Sequence, residues 1–262
     1  MALQQTKGSE ITDRLNALAE QRERPTPFEV QLFKRDIEKV KQVDLAEYHM
    51  LLGMLYSIAG DYQRSVDNHR KSIYQTGDVV DYANFGMSLL RLGKSLDSLE
   101  YFQRAFEMSV SAESFTDLLW AMMFAADFSY FDNAVEIYSK AHPHIDVSRE
   151  PSVLNIRSVR NGLSAASIPE EEFRSAMGLV ESVIVDNGYR VLAVSVKPGF
   201  FDGVQHVYAE ILLVQADEAA LVRLNDSIAE ALIDSDLVCW DRMVFNATYC
   251  PGFQGFEAFE VA

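Results

Sequence analysis

The fold class this sequence predicts is α+β: an all-α helical-repeat solenoid at the N-terminus followed by a small α+β domain. Three observations predict it. A sixteen-residue pattern occurs three times, as LLGMLYSIAGDYQRSV at 51–66, NFGMSLLRLGKSLDSL at 84–99 and WAMMFAADFSYFDNAV at 120–135, with methionine fourth in each. This spacing is that of helix-pair units, which bury their apolar faces only by stacking on their neighbours. Beyond HPHIDVSREP, residues 142–151, the apolar period shifts from helical to mixed helical and alternating. The charge is also uneven: net charge is −16, and residues 170–262 hold sixteen acidic side chains against five basic. The expected division is a helical domain over 1–146 and an acidic α+β domain over 147–262.

The elements follow in order. SEITDRLNALAEQ offers Ser9 as an N-cap before an amphipathic run, and TPFEVQLFKRDIEKVKQ places Thr26 and Pro27 at cap and first-turn positions. These two helices suit an N-terminal cap on the stack. Counting Ala46 as position 1 of a 34-residue unit puts Leu52 at 7, Gly53 at 8, Tyr56 at 11, Gly60 at 15, Tyr62 at 17 and Ser65 at 20. A second unit from Val79 places Gly86 at 8, Gly93 at 15, Ser98 at 20, Phe102 at 24 and Ala105 at 27. A third from Phe115 places Met122 at 8, Phe131 at 17, Ala134 at 20, Tyr138 at 24 and Ala141 at 27.

These residue types at these positions resemble the tetratricopeptide repeat, over about residues 46–146. The resemblance implies antiparallel helix pairs that pack where small residues at 8 and 20 meet. His69 at 24, Ser72 at 27, Gly77 at 32 and the large Met122 at 8 depart from the pattern, and Met122 implies a looser third pair. The family lines its concave groove with positions 5, 9, 12 and 13, which implies an apolar strip of Met50, Met54, Ala83, Met87, Leu119 and Met123. The lysines and asparagines with which some members clamp a terminal carboxylate are missing, and Arg91 is the one cation at these positions.

In the last third, PEEEFRSAMGLVESVIVDNG reads as a helix with acids in its first turn and a stop at Asn187 and Gly188. YRVLAVSV and HVYAEILLV read as a hairpin joined by the turn-rich loop KPGFFDGVQ. DEAALVRLNDSIAEALIDS reads as a helix capped by Asp217, and CWDRMVFNATY as a final strand. If VLNIRSV at 153–159 is also a strand, the order is βαββαβ, the ferredoxin-like arrangement; the same residues fit a helix capping the solenoid.

Chemistry is sparse. No P-loop, dinucleotide glycine pattern or nucleophile–histidine–acid order is present. His142 and His144 lack cysteine or carboxylate companions at ligand spacing, His206 has no evident partner, and Glu170, Glu171 and Glu172 are explained by a helix N-terminus. No cofactor or metal is implied. The acidity disfavours nucleic acid, and the candidate strands carry few aromatics beyond Tyr189 and Tyr208 for stacking bases. With no 18-residue apolar run and no h-region, neither a membrane span nor a signal peptide is expected. Cys239 and Cys250 suit buried thiols, so a cytoplasmic protein is expected.

The expected role is therefore a non-enzymatic protein–protein adaptor or chaperone. Its partner would be another protein, either basic or presenting an apolar helix or peptide to the strip, with Phe200 and Phe201 at a hairpin tip as a second contact and self-association as a further outcome. Resemblance to the small acidic three-repeat chaperones of type III secretion translocators points the same way, although the C-terminal domain departs from them. The alternative is an acidic inhibitor that neutralises a basic toxin or nuclease or imitates nucleic-acid charge, because Asp226, Glu230 and Asp234 align on one helix side.

Overall fold

A computed structural model describes residues 7–20 and 24–249. Helices α1 (Lys7–Glu20), α2 (Pro27–Ile37), α3 (Leu45–Ile58), α4 (Tyr62–Gln75), α5 (Val79–Arg91), α6 (Ser95–Met108), α7 (Ala112–Ala125), α8 (Phe131–Ala141), α9 (Pro151–Ala165) and α10 (Glu170–Asp186) come first. Strands β1 (Val191–Phe201) and β2 (Val204–Leu213), helix α11 (Glu218–Ile233) and strand β3 (Met243–Thr248) complete the order. The chain divides into two compact units, residues 1–157 and 158–262, so the division falls inside α9.

Local chemistry explains the helix starts of the first unit. Thr26 caps α2 in a reciprocal box: its hydroxyl accepts from the Glu29 N–H, and the Thr26 N–H donates to the Glu29 carboxylate at 2.7 Å. Asp44, Asp61 and Asp78 cap α3, α4 and α5 in the same sense, each accepting from the backbone three residues on. Ser9 is not a cap, because α1 begins at Lys7 and contains it. Gly60 and Gly93 turn the chain between α3 and α4 and between α5 and α6 with φ of 80° and 66°, where a side chain would be strained.

Helices α3, α5 and α7 begin at residues 45, 79 and 112, steps of 34 and 33. Two contacts bridge α3 to α5 across 34 residues. The Asn84 amide donates to the Met50 sulfur at 3.3 Å, and the Arg91 guanidinium donates to the Ser57 hydroxyl at 3.0 Å. Within the first pair, the buried Ser65 hydroxyl donates to the Gly53 carbonyl at 2.9 Å, so the two small residues do meet. The bare Cα of Gly53 admits the His69 ring, and that of Gly86 admits the Phe102 ring; an added Cβ would lie 2.6 Å and 2.8 Å from them. The helices of each pair close on one another through glycine and aromatic ring.

The third pair differs. Its first helix starts at Ala112 rather than near Phe115 and ends on Ala126, a non-glycine residue held at φ 51°. The α7–α8 connection, 126–130, is longer than the connections 59–61 and 92–94 of the first two pairs, and α7 and α8 approach each other over far fewer residues than α3 and α4 or α5 and α6 do.

The second unit has a three-stranded sheet in the order β1-β2-β3, with β1 antiparallel and β3 parallel to β2. The βαββαβ order is not formed, because residues 153–159 lie in helix α9. Pro151 supplies a first-turn residue with φ already set, and buried Val153, Ile156, Val159 and Leu163 recur at helical spacing rather than on alternate residues. On one sheet face, Val207, Ala209, Ile211, Met243, Phe245 and Ala247 are buried, with Phe245 stacked on Phe173 of α10 at 6.1 Å. The opposite face carries Lys197, Glu210, Val244 and Asn246, all exposed.

Asn225 of α11 secures the edge strand β3. Its side-chain amide donates to the Ala247 carbonyl at 3.0 Å and its carbonyl accepts the Ala247 N–H at 2.7 Å, so one carboxamide pairs with the strand as a neighbouring backbone would. Replacing Asn225 with leucine orphans both groups and is expected to cost about 1–3 kcal/mol in a denaturant titration. Gly178, exposed in α10 with open space where a Cβ would stand, is the opposite case. Gly178→Ala is expected to stabilise by about 0.5–1 kcal/mol, read as a raised midpoint.

Candidate functional site

The hairpin is longer and tighter than the sequence suggests. Pairing continues to Phe201↔Val204, so the connection is only Asp202 and Gly203, with φ of 48° and 79°. Two successive positive φ values make the type I′ turn that matches strand twist and that Asp-Gly favours. Pro198 and Gly199, read as loop residues, lie in β1. This strand is at the sheet edge, where a residue without an N–H is tolerated. The Tyr208 ring covers Gly199 so closely that a Cβ there would fall 2.0 Å from Cε2. On the other side, Gly162 of α9 lets the helix approach Pro198 to van der Waals contact.

Phe200 and Phe201 project from this arm 67% and 68% exposed, with Val204 opposite them also exposed. The sequence-based placement of the two phenylalanines at a hairpin tip is observed. The turn and the Tyr208–Gly199 contact both form without the phenylalanine rings.

The expected open methionine strip is corrected. Met50, Met54, Leu119 and Met123 are buried within the chain, and only Ala83 and Met87 are half-buried. Met50 and Met54 belong to one apolar cluster with Ile11, Leu15 and Leu18 of α1 and Leu51 and Leu55 of α3, and the Met50 sulfur faces Asn84 on α5. These methionines join neighbouring helices rather than line an empty surface. Met123 is also out of register: counted from the helix starts it is twelfth in α7, whereas Met54 is tenth in α3 and Met87 ninth in α5. Arg91 is held on Ser57 and does not form an anion site with other cations.

The histidines are structural. His69 is fully buried, stacked on Phe85 at 4.9 Å and 13°, with Nε2 2.8 Å from the Ser88 hydroxyl and Nδ1 unpartnered. Burial, reinforced by the Arg91 charge, depresses its pKa to about 3, so the ring is neutral. His142 sits on Tyr138 at 4.6 Å with Nε2 2.8 Å from the Val110 carbonyl, and His144 touches only its edge. His206 bonds the Val204 carbonyl through Nδ1 at 3.0 Å. Among the described residues, no group of three or more His, Cys, Asp or Glu side chains is placed to hold a metal ion.

Cys239 is buried, and its thiol accepts from the Arg242 guanidinium at 3.0 Å. The same arginine donates to the Ala166 and Ser167 carbonyls at 2.7 and 3.2 Å, and the Cys239 N–H donates to Glu172 at 2.8 Å. Burial pushes the thiol pKa up, followed by the Glu172 hydrogen bond. The cluster ties the end of α9 to the start of α10. Cys250 lies outside the described residues.

A cleft of about 410 Å³ opens between α6, α7 and the α7–α8 connection. Nothing in the spacing of its residues marks it, because its floor comes from α7 and its rim from α6 and the α7–α8 connection. No described helix is long and apolar enough to cross a membrane. No family model, curated protein or solved structure matches this chain.

Proposed function

We propose that the chain is a non-enzymatic protein–protein interaction module, an adaptor or chaperone of tetratricopeptide-like build, whose main contact is the hairpin tip. The observation that carries this reading is the exposure of Phe200 and Phe201 beside a two-residue Asp-Gly turn. Two adjacent aromatics left about two-thirds exposed bury little of their surface within the chain, whereas at an interface aromatic anchors supply much of the binding energy. The steps of 34 and 33 residues between α3, α5 and α7 support the repeat build. The burial of Met50 and Met54 moves the proposed contact away from the inner strip.

The test is recovery of partners from native lysate with the full chain and with Phe200→Ser/Phe201→Ser. The double variant is expected to melt within about 1 °C of the parent, since surface changes away from packed features alter stability little, and to lose the recovered proteins. Undiminished recovery by the variant removes the tip from this reading.

A second reading is an acidic inhibitor of a basic protein. It is favoured by Asp226, Glu230 and Asp234, all exposed at helical spacing along α11 and its C-cap. Charge pairing of this kind weakens steeply with salt, while an aromatic contact does not. Partner recovery that survives high salt favours the tip over the acidic helix.

A further inference from the structure

The geometry points to the α6–α7 cleft as a second docking site, one that takes an apolar side chain flanked by lysine or arginine from a short segment of a partner protein. The proposal rests on the interaction reading and adds to it a site and a class of ligand. Leu118 and Met122 line the cleft although each is only 1% exposed, so its floor lies deep between the helices. Leu96, 54% exposed, stands at its mouth. A volume of about 410 Å³ accommodates one large side chain with its neighbours, and methionine adapts to the shape that enters.

The charge of the rim selects the ligand. Glu100, Glu107 and Asp127 face the opening against the single cation Arg104. The Glu107 carboxylate is fixed before any ligand arrives, accepting from Gln103 at 2.8 Å and Tyr130 at 3.2 Å and pairing with Arg104 at 3.5 Å. An apolar floor under a net negative rim favours a segment in which leucine, methionine or phenylalanine adjoins a cation, and repels phosphate and acidic peptides. It also disfavours the hairpin tip of a second copy, because Asp202 at the turn would meet the acidic rim.

The probe is a short synthetic helix-forming peptide of leucine and lysine, with the version carrying glutamate for lysine as control. It is titrated into full-length protein carrying ¹³C-methyl methionine. The Met122 methyl resonance is expected to shift with the lysine peptide and not with the control. Glu100→Lys/Glu107→Gln is expected to weaken binding about tenfold or more, and Leu96→Lys, at an exposed position, to do the same without touching the Glu107 hydrogen bonds. Reversal of Asp226 and Glu230 on α11, neither of which lines the cleft, is expected to leave affinity within about twofold. A Met122 methyl that stays still, or an equal loss from the α11 reversal, overturns the site. Phe200→Ser/Phe201→Ser should bind the peptide as the parent does, so failure here and failure of the tip are separate results.

Discussion

Acidification from pH 7 to pH 5 will cost the N-terminal unit about 2 kcal/mol through His69 alone, and replacing this residue with phenylalanine will remove that part of the pH dependence. The folded state holds the ring neutral, with a pKa of about 3 against the ordinary 6.5. The unfolded chain therefore takes up a proton below pH 6.5 that the folded chain refuses. Stability is full above 6.5 and falls as the pH drops toward 3. The cause is geometric: the ring lies on Phe85 and beside Ser88, enclosed among groups that cannot compensate an imidazolium, and Nδ1 has no partner even when neutral. Phenylalanine keeps the stack and relieves that orphaned nitrogen. Denaturant midpoints of parent and His69→Phe at pH 7 and pH 5 check this, the difference between the two proteins isolating the histidine from all other titrating groups. Parallel slopes in the two proteins would mean that His69 is protonated at no cost and is not sealed as described.

The second large effect is expected at Gly53. By helix propensity alone, Gly53→Ala should stabilise α3 by about 0.5–1 kcal/mol. We expect instead a loss of about 1–3 kcal/mol, because the new methyl would sit 2.6 Å from Cδ2 of a ring that cannot retreat. His69 is enclosed by Phe85 and Ser88, and α4 is held to α3 by the Ser65 bond to the Gly53 carbonyl. The contrast with Gly178→Ala makes the prediction sharp, since the same substitution has opposite signs in two helices. Thermal denaturation of both variants decides it. A Gly53→Ala protein as stable as the parent would show that the first pair packs more loosely than its geometry indicates.

Much of the fold was legible because its signals are local. Thr26 with Pro27, Asp61 after Gly60, and Asp217 before α11 each act within one turn of chain, and each stands where the residue types indicate. Two readings failed, and one left open was decided, where the deciding contact is distant in sequence. VLNIRSV is short and apolar enough for a strand or a helix, and burial at 153, 156, 159 and 163 selects the helix. Pro198 and Gly199 punctuate most chains as loops, but an edge strand with Tyr208 laid over the glycine accommodates both. Met50 and Met54 carry the types of a binding strip, yet α1 and α5 use them for packing.

The candidate sites divide in the same way. The Asp-Gly turn and the two phenylalanines before it are contiguous, so the tip could be read directly from the chain. The cleft could not, since its floor comes from α7 and its rim from α6 and the α7–α8 connection, elements brought together only by the fold. Met122 at a position expected to be small was the one signal pointing to it.

The most direct test of the central claim, that the hairpin tip is where another protein binds, is site-specific photocrosslinking. A benzophenone amino acid at position 200 is compared with the same group at position 244, on the exposed outer face of the sheet and away from the turn. Irradiation in native lysate should give discrete higher-mass adducts from position 200 that position 244 does not give and that Phe201→Ser diminishes. Equal labelling from both positions, or none from position 200, contradicts the account.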